Sequence, residues 1–239
     1  MKRRRIRTGR LLLVVLLLAL AVGGAMYYLV NTVMPSRTKI MIDPGHDLLQ
    51  PGYVTDLVNE QEYCLDIAQR VQTKLTADKQ FDVYLSYNPE EGESAPLTKR
   101  IPYFEKVSPD TIVSIHLTMD IDRNYAGTRI LCVPPKAKNN KKSVALGQAL
   151  AGASDRECEV QYLNYQEIKP GVYQKVFTAL DEEYPEDAET QEILELGYPA
   201  VQIELFNISA PDTVEWFLSE EGRESTAEWI VKGIKAYYE

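Results

Sequence analysis

The 239-residue chain has only two histidines, and each closes an apolar run. Lys39-Ile40-Met41-Ile42-Asp43-Pro44-Gly45 leads into His46, and Thr111-Ile112-Val113-Ser114-Ile115 leads into His116. Pro199-Ala200-Val201-Gln202-Ile203 leads in the same way into Glu204, and Glu60 stands where a helical pattern begins. Apolar strands that run out at polar residues deliver those residues to the C-terminal edge of an open α/β sheet, where such folds keep their ligands. Imidazole and carboxylate both suit Zn²⁺. Two histidines and one glutamate make three protein ligands and leave a fourth position for water. A second glutamate beside that water can take its proton. The set therefore points to metal-assisted hydrolysis, with His46, His116 and one of the two glutamates, Glu60 or Glu204, as ligands and the other glutamate as the general base. Each piece alone has a plainer explanation, since a strand-end histidine is commonly just hydrogen-bonded and an acid at a helix start is favoured by the helix dipole. The reading rests on four coincident placements.

The elements that must carry these residues alternate between strand and helix. Strands are expected at 39–46, 81–87, 111–115, 127–133 and 200–204, with a weaker strand pattern at 157–164. Apolar positions Leu65, Ile67, Ala68, Val71 and Leu75 fit one helix face from Glu60 onward. Further helices are expected at 96–107, 143–153, 172–180 and 226–238. The run 111–115 is continuously apolar, as expected of a strand buried on both faces. Together these predict a single three-layer α/β domain over residues 38–239, with a mostly parallel twisted sheet flanked by helices.

Met41-Ile42-Asp43-Pro44-Gly45-His46, Ser114-Ile115-His116 and Pro199-Ala200-Val201-Gln202-Ile203-Glu204 resemble the corresponding motifs of the zinc-dependent N-acetylmuramoyl-L-alanine amidases. That resemblance runs from Lys39 to about Phe217. It implies hydrolysis of the amide between the glycan lactyl group and the first residue of the peptide stem in peptidoglycan. It also implies zinc ligands at His46, Glu60 and His116, with Leu65-Asp66-Ile67-Ala68 selecting Glu60 rather than Glu62. The catalytic glutamate falls on Glu204, and a supporting arginine falls on Arg100. The surroundings depart from the family's usual pattern. Asp47-Leu48-Leu49-Gln50-Pro51 follows the first histidine where glycines and an acid are usual, Leu117-Thr118 follows the second, and Leu205-Phe206 follows the glutamate without an intervening glycine. Two other readings share these residues: a weakly active or non-catalytic wall-binding module, and a zinc peptidase acting on another stem bond.

Residues 1–10 hold Lys2, Arg3, Arg4, Arg5, Arg7 and Arg10 and no acid, and 11–30 carry no charge. As a helix, 11–30 would be about 30 Å long, the thickness of a bilayer core. The expectation is a cytoplasmic basic tail, a transmembrane signal anchor at 11–30, a linker at 31–37 and an extracytoplasmic domain. This arrangement suits a bacterial wall enzyme. The alternative is a cleaved signal peptide with Ala19-Leu20-Ala21 as its cleavage site. The chain has 35 acidic and 26 basic residues. Setting aside the six bases of the first ten residues leaves 20 against 35, a net charge of −15. That argues against nucleic acid as a partner. Peptidoglycan, and the membrane through the first helix, are the expected partners. Cys64, Cys132 and Cys158 have no metal-site or disulfide spacing, and the first two fall on apolar faces, as packed thiols would. The acids between Asp181 and Glu195 read as a solvated surface helix, or as a lid that restrains the site.

Overall fold

The computed structural model describes residues 8–29, 36–87, 95–119, 127–162, 165–169, 172–175 and 192–239, with backbone alone at 8–11, 165–168, 172–175 and 211–213. Two compact units are present, Met1–Arg37 and Thr38–Glu239.

In the first unit, α1 (Thr8–Tyr28) is a 21-residue helix. Its side chains from Leu12 to Leu29 are exposed. Counting only described side chains, which begin at Leu12, no helix is long and apolar enough to cross a membrane. The linker at 31–37 falls mostly outside the described residues.

Among the described residues, the second unit has eight strands: β1 (Thr38–Pro44), β2 (Phe81–Leu85), β3 (Thr111–Thr118), β4 (Thr128–Cys132), β5 (Cys158–Tyr162), β6 (Tyr165–Lys169), β7 (Val172–Lys175) and β8 (Ala200–Asn207). They form one sheet in the order β2-β1-β3-β8-β4-β5-β6-β7. Its helices are α2 (Glu60–Thr76), α3 (Leu97–Val107), α4 (Asn140–Ala153), α5 (Pro211–Leu218) and α6 (Glu220–Tyr238). One core lies between the sheet and α2, α4 and α6, where Ile67, Val71, Leu150 and Ile230 meet Ile42, Val113 and Ile203. On the other face, Leu97 and Phe104 of α3, with Ile193 and Leu194, cover Met41, Ile112 and Ala200. Strands covered on both sides favour apolar residues on both faces, and Ile40-Met41-Ile42 of β1, Ile112-Val113 of β3 and Ala200-Val201 of β8 are fully buried.

The sheet is mixed rather than mostly parallel. The pairs β1/β2, β1/β3, β3/β8 and β4/β5 are parallel. The pairs β4/β8, β5/β6 and β6/β7 are antiparallel. The chain reverses beyond β8, so β4 brings its first residues to the edge where β1, β3 and β8 end. The segment at 172–175 is a strand, not the start of a helix. It is stabilised by its ladder with β6, a contact that local propensity does not encode. Residues 176–191, which hold most of the acidic segment, lie outside the described residues.

Candidate metal centre

The three expected ligands arrive from three different elements. His46 lies two residues beyond β1 in a left-handed backbone conformation, φ 67°. Such a conformation is uncommon for a residue with a side chain and recurs at functional sites. The Gly45 N–H donates to the Ile115 carbonyl at 2.8 Å, tying this turn to β3. Glu60 is the first residue of α2, which Asn59 caps by accepting from the Glu62 N–H. The turn before it is clamped in place: the Glu60 N–H donates to the Tyr53 carbonyl at 2.9 Å and the Gln61 N–H to the Pro51 carbonyl at 3.2 Å. His116 is not the end of its strand. β3 continues to Thr118, with an irregularity between His116 and Thr118 where its register with β8 shifts.

Glu60 is the hub. Its Oε2 lies 3.2 Å from His46 Nε2, and its Oε1 lies 3.5 Å from His116 Nδ1. Each oxygen also accepts a backbone N–H, from Tyr53 at 3.1 Å and from Leu117 at 2.8 Å. The imidazole rings stand edge to face with centroids 5.0 Å apart. One ligand atom from each residue lies within 4.8 Å of the others, and all three side chains are buried. Burial would raise the Glu60 carboxyl, but hydrogen bonds and charge from His116 and His46 outweigh it and hold Glu60 well below the usual carboxylate range. A buried anion facing two imidazole nitrogens is a donor set that fits Zn²⁺ in type, number and spacing.

Two glycines make room for this cluster. A Cβ on Gly45 would sit 2.5–2.7 Å from the His116 ring atoms. Gly52, at φ +68°, would place one 2.5 Å from His46 Cδ2 and 2.6 Å from Glu60 Oε2. Asp47, nearly fully buried, organises the departure from the family pattern. Its Oδ1 accepts the N–H groups of Leu49 at 2.7 Å and Gln50 at 2.9 Å. This local turn leaves Leu48 and Leu49 exposed.

Glu204 lies inside β8 rather than at its end, because the strand runs on to Asn207. Its Cα partner in the parallel register is His116, and its partner across the antiparallel ladder is Arg129. Arg129 Nη1 lies 3.7 Å from Glu204 Oε2, with both side chains partly exposed. Sequence reasoning missed Arg129. Only the antiparallel docking of β4 on β8 brings it there, and the sole local hint is its position two residues after Gly127.

Arg100 does not join the cluster but supports it from behind. Buried within α3, it donates through Nη1 to Asp43 Oδ1 at 2.9 Å and to the Pro44 carbonyl at 3.3 Å. Asp43 also accepts from Ser114 Oγ at 2.7 Å and from the Ser86 hydroxyl. The Asp-Pro-Gly-His turn is therefore fixed by a buried charge network immediately before His46. The cysteines take no part. Cys64 and Cys132 are buried free thiols, and burial pushes Cys132 up to about 12.

Residues 40–236 match the family model described as N-acetylmuramoyl-L-alanine amidase. The chain belongs to that family. It is a peptidoglycan amidase, as the resemblance implied. No functionally curated protein matches the sequence closely enough to count as a relative. Among solved structures, the amidase from Clostridium difficile 630 is 22% identical with a TM-score of 0.63, over 84% of this chain and 97% of that one. The catalytic domain of CwlV, an amidase from Bacillus (Paenibacillus) polymyxa var. colistinus, is 19% identical with a TM-score of 0.62, over 84% and 98%. The CwlD amidase from Clostridioides difficile, solved in complex with the GerS lipoprotein, is 17% identical with a TM-score of 0.60, over 84% and 98%. At these identities the likeness is one of fold.

Proposed function

We propose that this amidase is zinc-dependent. Its ligands are His46, Glu60 and His116, its general base is Glu204, and its target is the amide between N-acetylmuramic acid and L-alanine. The observation that carries the reading is the convergence of both imidazoles on the buried Glu60 carboxylate, with ligand atoms within 4.8 Å. Zinc held by these residues would supply Lewis acidity for the carbonyl and for water. The chain's own residues do the rest. Glu204, beside His116 in the sheet, takes the proton of the attacking water and returns it to the departing amine of L-alanine, as a positioned carboxylate can. Arg129, across the ladder from Glu204, gives that carboxylate a partner that directs it. The Asp43–Arg100 network holds the His46 turn while the substrate binds.

The test is a pair of variants of the full chain. His116→Ala removes one of three ligands and should abolish stoichiometric zinc. Glu204→Gln should retain zinc while losing roughly 10²–10⁴-fold in hydrolysis, the typical worth of general-base help. Full zinc occupancy in the first, or undiminished cleavage in the second, refutes the corresponding role.

We also propose that residues 11–30 anchor the chain in the cytoplasmic membrane with the amidase domain outside. The charge-free sequence run and its basic flank support this by length and by the positive-inside bias. Protease added to intact cells should remove the amidase domain, and protection from protease would reverse the assignment.

A further inference from the structure

A cleft of about 270 Å³ opens between the α4–β5 connection and helices α5 and α6, outside the metal centre. Both tryptophans of the chain, Trp216 and Trp229, line it, together with Asp155, Arg156, Glu228 and Lys232. The Arg156 guanidinium lies 3.4 Å over the Trp216 ring centroid, a cation–π contact that covers that face of the indole. The Trp229 indole N–H is used internally, donating to the Leu150 carbonyl at 2.7 Å, so its ring is fixed in orientation. The cleft also reaches the catalytic edge of the sheet. Thr128 lines it and donates through Oγ1 to the Leu205 carbonyl at 2.8 Å. This is one residue along each strand from the Arg129–Glu204 pair, so the cleft opens at the same end of the sheet but on its opposite face, since successive side chains alternate, and a glycan held there passes around that end.

The chemistry of the lining selects its ligand. Two carboxylates and two cations balance, so a phosphate or other strong anion meets repulsion as well as attraction. A purely apolar ligand would strip water from the charged groups it covers, Asp155 and Lys232 among them, which is costly. A saccharide ring meets both demands. Its C–H face lies on the Trp229 indole, since Arg156 covers Trp216, and its hydroxyls donate to Asp155 and Glu228 while accepting from Arg156 and Lys232. At about 270 Å³ the cleft is at the lower end of small-ligand sites, which suits a single ring rather than a long segment. We propose that this cleft binds a β-linked N-acetylhexosamine of the glycan strand, outside the sugar that carries the scissile amide. The proposal rests on the amidase reading for its choice of sugar. It adds a second grip on the glycan, which keeps the strand against the catalytic edge between successive cuts.

Because the two tryptophans both line the cleft, intrinsic fluorescence reports its occupancy directly. The full chain is titrated with a β-1,4-linked tetramer of N-acetylglucosamine, and with maltotetraose as the control. We expect a saturable fluorescence change with a Kd in about the millimolar range for the first sugar, and none for the second. The double variant Asp155→Asn, Lys232→Gln, at two exposed positions, should weaken binding roughly tenfold while its urea midpoint and zinc content stay unchanged. No saturable change in the native chain, equal response to maltotetraose, or native affinity in the double variant overturns the proposal. The amidase reading is scored separately, by release of peptide stems. Cleavage without fluorescence titration sinks the cleft alone, and titration without cleavage sinks the amidase reading alone.

Discussion

Gly52→Ala disrupts the metal centre without touching a ligand. The added Cβ would lie 2.5 Å from His46 Cδ2, 2.6 Å from His46 Nε2 and 2.6 Å from Glu60 Oε2. Carbon contacts settle near 3.5–4.0 Å, so something must move by about 1 Å. Metal ligands tolerate only about 0.2 Å of displacement from their preferred distances. Both neighbours are proposed ligands, and Glu60 is held by α2 and by the Tyr53 and Leu117 amides, so His46 must give way. Zinc affinity should fall at least about 100-fold, the scale on which a 1 Å misplacement is felt at an active site. Alanine at φ +68° adds backbone strain of about 1–2 kcal/mol. Gly197→Ala separates the two effects. Gly197 has φ +84°, but its nearest neighbour is the Lys138 side chain at 3.6 Å, so it suffers the strain alone. Chelator-competition titration gives the zinc affinities, and thermal melts give the strain, at roughly 2–4 °C per kcal/mol for a domain of this size. Both variants should lose stability and only Gly52→Ala should lose zinc. Zinc binding by Gly52→Ala within about threefold of native, a difference under 1 kcal/mol, would refute this account of the site.

Three further outcomes follow from the same geometry. Gly45→Ala, whose Cβ would meet the His116 ring at 2.5–2.7 Å, should also lose zinc, and native metal content would show that the His116 ring has room to move. Arg100→Ala strands the buried Asp43 carboxylate and should cost about 3–5 kcal/mol in urea denaturation; a loss under about 1 kcal/mol would mean that the pair is no better than a surface bridge. Adding zinc at 100 times its Kd should stabilise the chain by about 2.7 kcal/mol and chelation should remove that gain. An unchanged melting temperature would argue against a site in the folded state.

The residues of the cluster were legible in the sequence because chemistry and periodicity coincide there. His46, His116 and Glu204 each follow an apolar run whose burial could be read without a structure, and Glu60 opens a helix with a clear apolar face. The boundaries were less legible. β3 and β8 run past His116 and Glu204 to Thr118 and Asn207, since Leu117, Leu205 and Phe206 are buried and continue the apolar pattern. Strand direction was not legible at all, because nothing local in 128–132 states that it will lie antiparallel to β8. For that reason Arg129 went unnoticed, and the sheet was expected to be mostly parallel. Gly52 was equally silent, because its importance lies in what a Cβ would strike. Asp43 and Arg100 were visible as residue types, but their pairing behind the turn depends on α3 crossing beneath β1.

The most direct test of the central claim is mass spectrometry of purified peptidoglycan after digestion with the full chain, with zinc present and with zinc removed by chelation. The account predicts zinc-dependent release of intact peptide stems with a free L-alanine amino terminus, and glycan strands left with free lactyl carboxylates. Release of stems cut at another bond, or equal release without zinc, would contradict it.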